Sequence, residues 1–307
     1  MITDIPTPED FKMVGLSLLN QAWDTAMSLL LELKDADAFE LDAPEVEEYW
    51  AAASTKLATA LTIAQQGGEF LMKSRIVAVS PFLLIANSAR EWPKTNEVGD
   101  ISFSLFRTVD AQDLVRLHDN CASVKLSPEF ITHFDALRVR RNTIMHTVDK
   151  RLTLHVRELV ESILLVHQHL APNREWIHRR RDFLDESESS KLYTNEWVDP
   201  RLVREFVAVR ELLKPKAMKE YFGHDKTQRS YICPTCSYET CRDHEVEARL
   251  AVLRPNDPTS TTVWCFVCAE QDVVVRTDCE ASDCPGNVIS LEWEKCLTCG
   301  ADQIIHK

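Results

Sequence analysis

Cysteine spacing near the C-terminus constrains the fold of this 307-residue chain more than any other feature. Nine of the ten cysteines lie at or after position 233, and eight of them form four close pairs. The pairs are Cys233 and Cys236, Cys265 and Cys268, Cys279 and Cys284, and Cys296 and Cys299. Two thiolates separated by two to four residues can reach one tetrahedral ion from a tight turn. The pattern therefore predicts metal ligands rather than disulfides.

Four cysteine pairs are enough for two zinc ions with four thiolates each. The expected sets are Cys233, Cys236, Cys265 and Cys268 for one ion, and Cys279, Cys284, Cys296 and Cys299 for the other. Cys241 and His244 have the spacing of a further pair and are an alternative to one pair of the first set. A third ion would need His224, His244 and His306 together. Four protein ligands leave no position for water, so we expect structural rather than catalytic zinc.

The residues around the cysteine pairs favour a small sheet. Val263-Trp264 and Val273-Val274-Val275 are short strand-like runs. Gly300 follows Cys299 directly and permits a turn with positive φ. This segment resembles zinc ribbons, in which two such cysteine turns hold each ion on a small sheet.

The first 225 residues are predicted to be helical, and the chain has only seven glycines. Residues 9–34 repeat apolar residues at helical spacing, and residues 45–66 are rich in alanine. Gly67-Gly68 is expected to end or kink the second helix. Ser127 is a predicted N-cap before Pro128, and the helix that follows should run to about Val148.

Further helices are predicted over 151–170, from Pro172 to about Glu186, and from Asp199 to about Phe222. Pro215 should kink the last of these, and residues 185–191 are expected to form a surface linker. The fold class is therefore mainly α with a small C-terminal β module. The predicted domains are a helical bundle at 1–175, a helical extension at 176–229 and a double zinc-ribbon module at 230–307.

Charge is distributed unevenly along the chain. The formal net charge is -13, which disfavours a nucleic-acid partner for the chain as a whole. Residues 131–182 are nevertheless basic, with ten Lys and Arg against six Asp and Glu. The N-terminus lacks the pattern of a secretory signal, and no apolar run approaches the ~18 residues of a membrane span. We therefore expect a cytoplasmic protein.

Arg141 interrupts an apolar stripe on the helix that follows Ser127. The stripe consists of Phe130, Phe134, Leu137, Arg141, Ile144 and Val148. A buried arginine without a partner is costly, so this one should meet a carboxylate, another subunit or an anionic ligand. Asp119 and Asp135 are the candidate carboxylates for a purely structural role.

The string Arg141-Asn142-x3-His146, late in a helix of an all-α domain, resembles the Rx4–6H signature of the HEPN superfamily. The resemblance covers about residues 10–170. It implies an up-and-down helical bundle that forms a homodimer, and a metal-independent ribonuclease of a phage-defence or toxin system. The catalytic arginine, polar residue and histidine of the family correspond to Arg141, Asn142 and His146.

The resemblance fits residue chemistry. Histidine exchanges protons near neutral pH, and arginine can hold phosphoryl oxygens as negative charge builds up. RNA supplies its own 2′-OH nucleophile, so the expected product is a 2′,3′-cyclic phosphate. Candidate contacts to RNA phosphates are Arg138, Arg140, Arg179, Arg180 and Arg181.

Two other functions remain compatible with the sequence. One is a non-catalytic dimer that binds RNA or acts as an adaptor, with the zinc ribbons contacting a protein partner. The other is a zinc-ribbon DNA-binding regulator, which the acidic C-terminal segment disfavours. Residues 233–307 carry six Lys and Arg against thirteen Asp and Glu.

Overall fold

The computed structural model describes residues 1–36, 40–92, 99–146, 154–240 and 247–304. Within these ranges the chain is mainly helical with a small antiparallel sheet near the C-terminus, which confirms the predicted fold class at this level. The chain divides into two compact units, Met1–Trp176 and Ile177–Lys307. Among the described helices, none has both the length and the apolar character needed to cross a bilayer.

The first unit is a helical bundle built around two long helices. Its helices are α1 (Pro8–Ala36), α2 (Ala43–Val77), α3 (Ala111–Cys121), α4 (Pro128–His146) and α5 (Val156–Leu170). The α3, α4 and α5 helices all pack on α2, and a two-residue parallel pair joins β1 (Ile2–Thr3) to β2 (Ile101–Ser102). Trp23, Met27, Met72, Phe130 and Phe134 are completely buried in the core.

The α2 helix continues without interruption through Gly67 and Gly68, so the predicted break at these glycines is wrong. Packing between helices explains why glycine is present. A Cβ atom on Gly15 of α1 would lie 2.8 Å from Leu71 Cγ, and one on Gly67 would lie 3.0 Å from the carbonyl oxygen of Gly15. Glycine therefore permits a close approach of the α1 and α2 backbones rather than a helix end.

The second unit begins with helices and ends with the sheet. Its helices are α6, which begins at the unit boundary (Trp176–Asp185), α7 (Glu188–Leu192), α8 (Val198–Leu212), α9 (Pro215–Phe222) and α10 (Pro234–Thr240). The predicted linker at 185–191 thus contains most of α7. Pro215 starts a new helix instead of kinking an existing one, because it occupies the first turn after Lys214. Gly223, with a φ of 64°, closes α9.

Five short antiparallel strands form the sheet of the second unit, in the order β3-β4-β5-β6-β7. They are β3 (Ser230–Tyr231), β4 (Ala251–Leu253), β5 (Thr262–Cys265), β6 (Gln271–Val275) and β7 (Ile289–Ser290). The strand-like runs seen in the sequence are the inner strands β5 and β6. The predicted extension 176–229 thus lies largely in the same compact unit as the predicted module 230–307.

Candidate functional sites

The first four-cysteine cluster joins two turns of the sheet. Cys233 follows β3, Cys236 lies in the first turn of α10, Cys265 ends β5, and Cys268 lies in the turn to β6. The Sγ atoms are 3.6 Å apart for Cys233 and Cys268 and 3.7 Å apart for Cys236 and Cys265. Backbone N–H groups donate to the sulfurs of Cys233 and Cys265. The first three of these cysteines are almost completely buried.

The second cluster lies beyond β6 and contains Cys279, Cys284, Cys296 and Cys299. Its sulfurs are separated by 3.7 Å for Cys279 and Cys299 and by 3.8 Å for Cys284 and Cys296. Gly286 lies against this cluster, and its N–H donates to Cys284 Sγ at 3.3 Å. A Cβ atom on Gly286 would lie 2.6 Å from Thr298 Cβ, so only glycine fits there without a shift.

Both clusters have the dimensions of a tetrahedral zinc site. A tetrahedron with metal–sulfur distances of about 2.3 Å has sulfur–sulfur edges of about 3.8 Å. The measured separations of 3.6–3.8 Å match this edge, and all ligand atoms of each group lie within 4.8 Å of one another. The two groups are the same sets of four that the sequence analysis assigned to two ions. Four thiolates per group are compatible with two closed metal sites.

The thiols of the first cluster interact too strongly to ionise together. The hydrogen bond with Cys233 is the largest effect raising the pKa of Cys236, and burial is the largest effect raising the pKa of Cys265. The pKa of Cys268 is instead lowered by hydrogen bonds with the other three cysteines, and the bond with Cys233 has the largest effect. A divalent cation supplies the positive charge that allows all four sulfurs to be thiolates.

The alternative ligands are placed only in part. Cys241, His244 and His306 lie outside the described residues. His224 is completely buried and packs its ring against Phe266, with centroids 4.7 Å apart. Burial lowers the pKa of His224 to about 4, and Arg210 Nε donates to His224 Nε2 at 3.3 Å. In this structure His224 is thus part of the interior.

Arg141 lies in the last turns of α4. The helix starts as predicted, with Ser127 Oγ accepting a hydrogen bond from Phe130 N at 3.2 Å. Phe130, Phe134 and Leu137 are buried along the predicted stripe, whereas Arg141 is half-buried. Val148 lies outside the described residues.

The Arg141 guanidinium has no carboxylate partner within the described ranges. Arg141 Nη1 donates to Asn142 Oδ1 at 3.0 Å, and Arg141 Nε is buried without a hydrogen-bond partner. Both carboxylates proposed as structural partners are engaged elsewhere. Asp119 accepts from Leu126 N and contacts His118 Nδ1, and Asp135 lies 3.5 Å from Arg138 Nε. Within the part of the chain that the structure describes, Arg141 thus lacks the ion pair that a purely structural role would need.

A polar cavity of about 320 Å³ opens beside Arg141 and Asn142. Lys73 of α2 and Arg138 also line it, together with the carboxylates of Glu69 and Asp110 and the first turn of α3. Lys73 Nζ donates to Thr108 Oγ1 at 3.2 Å, and burial lowers the pKa of Lys73. Three cationic side chains against these two carboxylates leave an excess of one positive charge, and with the N-terminus of α3 this favours an anionic group.

His146 does not line this cavity. It is exposed at the end of α4, five residues after Arg141. Positions five apart differ by about 140° around a regular helix, so the two side chains point in different directions. His146 instead shares a helix face with Val139 and Asn142, which precede it by seven and four residues. Val139 is 56% exposed although it is apolar.

The two other candidate arginines of α4, Arg138 and Arg140, have partners. Arg140 Nη1 donates to Glu158 Oε2 at 2.8 Å, and both side chains are about 40% exposed. Arg138 interacts with Asp135 one turn earlier on α4. Exposed pairs of this kind are weak, so both arginines can exchange a carboxylate for a phosphate.

The basic run on α6 behaves differently. Arg180 is completely buried, and Glu205 accepts two hydrogen bonds of 2.9 Å from it. Its charge is matched inside the second unit, which removes Arg180 from the candidate phosphate contacts. Arg181 is one-third exposed and pairs with Asp199, and Arg179 is half-buried and also has interaction partners.

Two positions of these sites were missed by sequence reasoning. Gly286 is preceded by Cys284-Pro285, and a glycine two residues after a ligand is a signal that could have identified it. Lys73 has no local signal, because only the packing of α2 beside α4 brings it near Arg141. Comparison with protein-family models, with curated proteins and with solved structures finds no match to this chain.

Proposed function

We propose that this chain is a metal-independent RNA endonuclease of the HEPN type with a zinc-ribbon module at its C-terminus. The observation that carries the proposal is the state of Arg141. The side chain is half-buried, its guanidinium lacks a carboxylate partner at hydrogen-bond distance in the described ranges, and it lines a cavity with two further cations and the carboxylates of Glu69 and Asp110. A folded protein does not keep such a charge for stability, because an uncompensated buried cation is costly. An RNA phosphate would supply the missing anion.

The proposed reaction is a transesterification within the RNA strand. The 2′-oxygen attacks the adjacent phosphorus, and the bond from phosphorus to the 5′-oxygen breaks. The products are a 2′,3′-cyclic phosphate and a 5′-hydroxyl end. His146 takes the proton from the 2′-OH and returns it to the leaving 5′-oxygen, while Arg141 holds the phosphoryl oxygens. Asn142, one helical turn before His146, orients its ring.

The active site would be composite, formed by two copies of the chain. Within one chain Arg141 faces the cavity and His146 faces solvent. A two-fold contact between two α4 helices would place His146 of each copy near Arg141 of the other. The exposed apolar side chains of Val139 and Met145, at 56% and 57% exposure, support α4 as the contact surface of this homodimer.

The zinc ions have no step in this mechanism. Cys233, Cys236, Cys265 and Cys268 would hold one ion, and Cys279, Cys284, Cys296 and Cys299 the other. Closed four-thiolate sites stabilise a sheet whose strands are too short to build a core of their own. We propose a cytoplasmic effector of phage defence or a toxin, with Arg138, Arg140, Arg179 and Arg181 as additional phosphate contacts.

The test is cleavage of labelled single-stranded RNA by the full-length protein without added divalent cations. We expect 2′,3′-cyclic phosphate ends from the wild type and at least a hundredfold slower cleavage by His146→Ala and Arg141→Ala. His155→Ala and Arg90→Ala are matched controls, since both replace exposed residues of the first unit outside the cavity. Equal cleavage by the His146 and control variants would contradict the assigned site.

A non-catalytic RNA-binding or adaptor dimer is the second candidate, and the same cavity favours it, because anion binding needs no chemistry. This alternative would be established if the wild-type protein binds RNA in a manner that requires Arg141, does not cleave the RNA and is not toxic on expression. Both candidate functions require a homodimer. A monomer in light scattering at micromolar concentration would therefore contradict both of them.

A further inference from the structure

An apolar groove of about 510 Å³ lies on the sheet-containing part of the second unit. Its walls include Ile232, Tyr238, Trp293 and Leu297. Tyr238 is 52% exposed despite its large ring. The groove is of the size that binds a side chain or a short peptide segment.

The groove is built by elements that both cysteine clusters fix in place. Tyr238 lies on α10, two residues after Cys236, and Trp293 lies in the turn before Cys296. The two rings pack with centroids 5.5 Å apart and planes tilted by 48°. Trp293 N donates to the buried Ser290 Oγ at 3.1 Å, which fixes the turn that carries the indole. The aromatic surface is therefore preformed.

A second hollow of about 260 Å³ continues from the groove and is acidic. It shares Pro234 and Trp293 with the apolar part, and its other walls include Glu270, Asp272 and Glu292. Asp272 Oδ2 is buried and has no hydrogen-bond partner within the described ranges. Burial raises the pKa of Asp272. A buried acceptor of this kind gains most from a cationic donor.

We propose that this two-part groove binds a basic segment of a partner protein, with an aromatic or large aliphatic side chain against Tyr238 and Trp293 and an adjacent Lys or Arg on Asp272. The charge complementarity is specific to the acidic part, where Glu270 and Glu292 flank Asp272. A Lys or Arg side chain there could also meet the face of the Trp293 indole in a cation–π contact. The proposal is independent of RNA cleavage at Arg141.

A nucleic-acid strand fits the same surface poorly. The aromatic rings could stack a base, but three carboxylates beside them repel phosphates. Lys295 lines the apolar part 3.5 Å from Asp302, and the acidic side chains of the two hollows outnumber it. The whole segment 233–307, with thirteen acidic against six basic residues, adds to the repulsion.

The first experiment measures selection from an array of twelve-residue peptides whose two central positions run through all amino-acid pairs. The full-length, metal-loaded protein should select pairs that join Lys or Arg to a Phe, Trp, Tyr, Leu or Met. Selection of acidic pairs, or no selection, would overturn the proposal. Tighter binding of oligouridine than of the best peptide would also overturn it, in favour of a nucleic-acid surface.

The second experiment locates the selected peptide by fluorescence anisotropy. Trp293→Ala and Asp272→Asn should each weaken binding at least tenfold. Glu292→Gln is a milder variant of an exposed side chain that leaves the fold intact, and we expect a threefold to fivefold loss. Glu220→Gln and Tyr193→Ala replace exposed residues of the same unit away from the groove and should bind normally. Unchanged affinity in Glu292→Gln and Asp272→Asn, with normal zinc content, contradicts an acidic subsite.

Discussion

Arg180 and Glu205 face each other in the interior of the second unit, and neither side chain has any exposed surface. Arg180 Nε and Nη2 donate to the two carboxylate oxygens at 2.9 Å each, so the pair is bidentate. Arg201 Nε adds a third bond of 2.6 Å to Glu205 Oε1. Arg180 also lies over the ring of Phe183, 5.4 Å from its centroid. The network thus fixes α6 against α8.

Removing one member of this pair should destabilise the second unit strongly. Arg180→Met removes both of these hydrogen bonds from the buried Glu205, and we expect a loss of about 3–5 kcal/mol in the free energy of unfolding. The measurement is urea unfolding followed by circular dichroism. Lys216→Met, which removes an exposed cation on α9, is the control and should change stability by less than about 0.5 kcal/mol. A similarly small loss for Arg180→Met would show that the pair of Arg180 and Glu205 does not stabilise the packing of α6 against α8.

The same pair predicts a pH dependence. Burial alone would raise the pKa of Glu205, but Arg180 and Arg201 outweigh it and hold the pKa below the usual 4.5. Because the folded pKa is depressed, this contribution is complete above pH 4.5 and is lost as the pH falls through the folded pKa. The stability difference between wild type and Glu205→Gln should therefore be constant from pH 7 to pH 5 and should shrink below pH 4.5. A difference that grows on acidification contradicts this sign.

The two cysteine clusters predict the metal content of each variant. Wild-type protein should contain two zinc ions per chain, measured by native mass spectrometry. Cys236→Ser and Cys299→Ser should each lose one ion, because each removes a ligand from a different cluster. Cys121→Ser lies outside both clusters and should keep two. Three ions in the wild type would contradict the assignment of two four-cysteine sites and would require ligands outside both clusters.

The metal clusters were predictable from sequence because their ligands are local pairs, and each predicted set joins two pairs that are consecutive along the chain. Helix starts with a side-chain cap, such as Ser127 before α4, were predictable for the same reason. The Gly67-Gly68 prediction failed because local propensity was weighed without the neighbouring helix. Gly67 lies where α1 approaches α2, and that contact favours glycine within a continuous helix.

Contacts between side chains that are far apart in the sequence could not be predicted from local sequence patterns. Arg180 was assigned to RNA phosphates because the arginine run at 179–181 suggests an exposed basic surface. The structure turns its middle member inward, toward a glutamate 25 positions later. Lys73 and Arg141 similarly come together only through helix packing. A run of charged residues therefore predicts an exposed charged surface only when none of its members has a buried partner of opposite charge.

Gly15 of α1 and Gly68 of α2 provide a matched test of helix packing. Gly15→Ala places a Cβ atom 2.8 Å from Leu71 Cγ and 3.0 Å from the Gly67 carbonyl, so we expect a loss of about 1–3 kcal/mol. Gly68→Ala meets Phe134 and Val166 at an ordinary 3.4 Å and should be neutral or stabilising by up to about 1 kcal/mol. Thermal unfolding of both variants measures the difference. Equal destabilisation would contradict the close approach at Gly15.

Arg140 and Arg141 are adjacent in α4 but differ in their partners, which separates function from stability. Arg140 pairs with Glu158, so Arg140→Met should lose up to about 1 kcal/mol of stability, and as the loss of one peripheral phosphate contact it should weaken RNA binding less than Arg141→Met does. Arg141→Met extends the buried stripe and removes a cation without a carboxylate partner in the described ranges. Its stability should therefore be unchanged or higher, while RNA binding and cleavage are lost. A structural arginine would give the opposite result, a large drop in the melting temperature with normal RNA affinity. Measuring both quantities on both variants therefore distinguishes a ligand-binding arginine from a folding one.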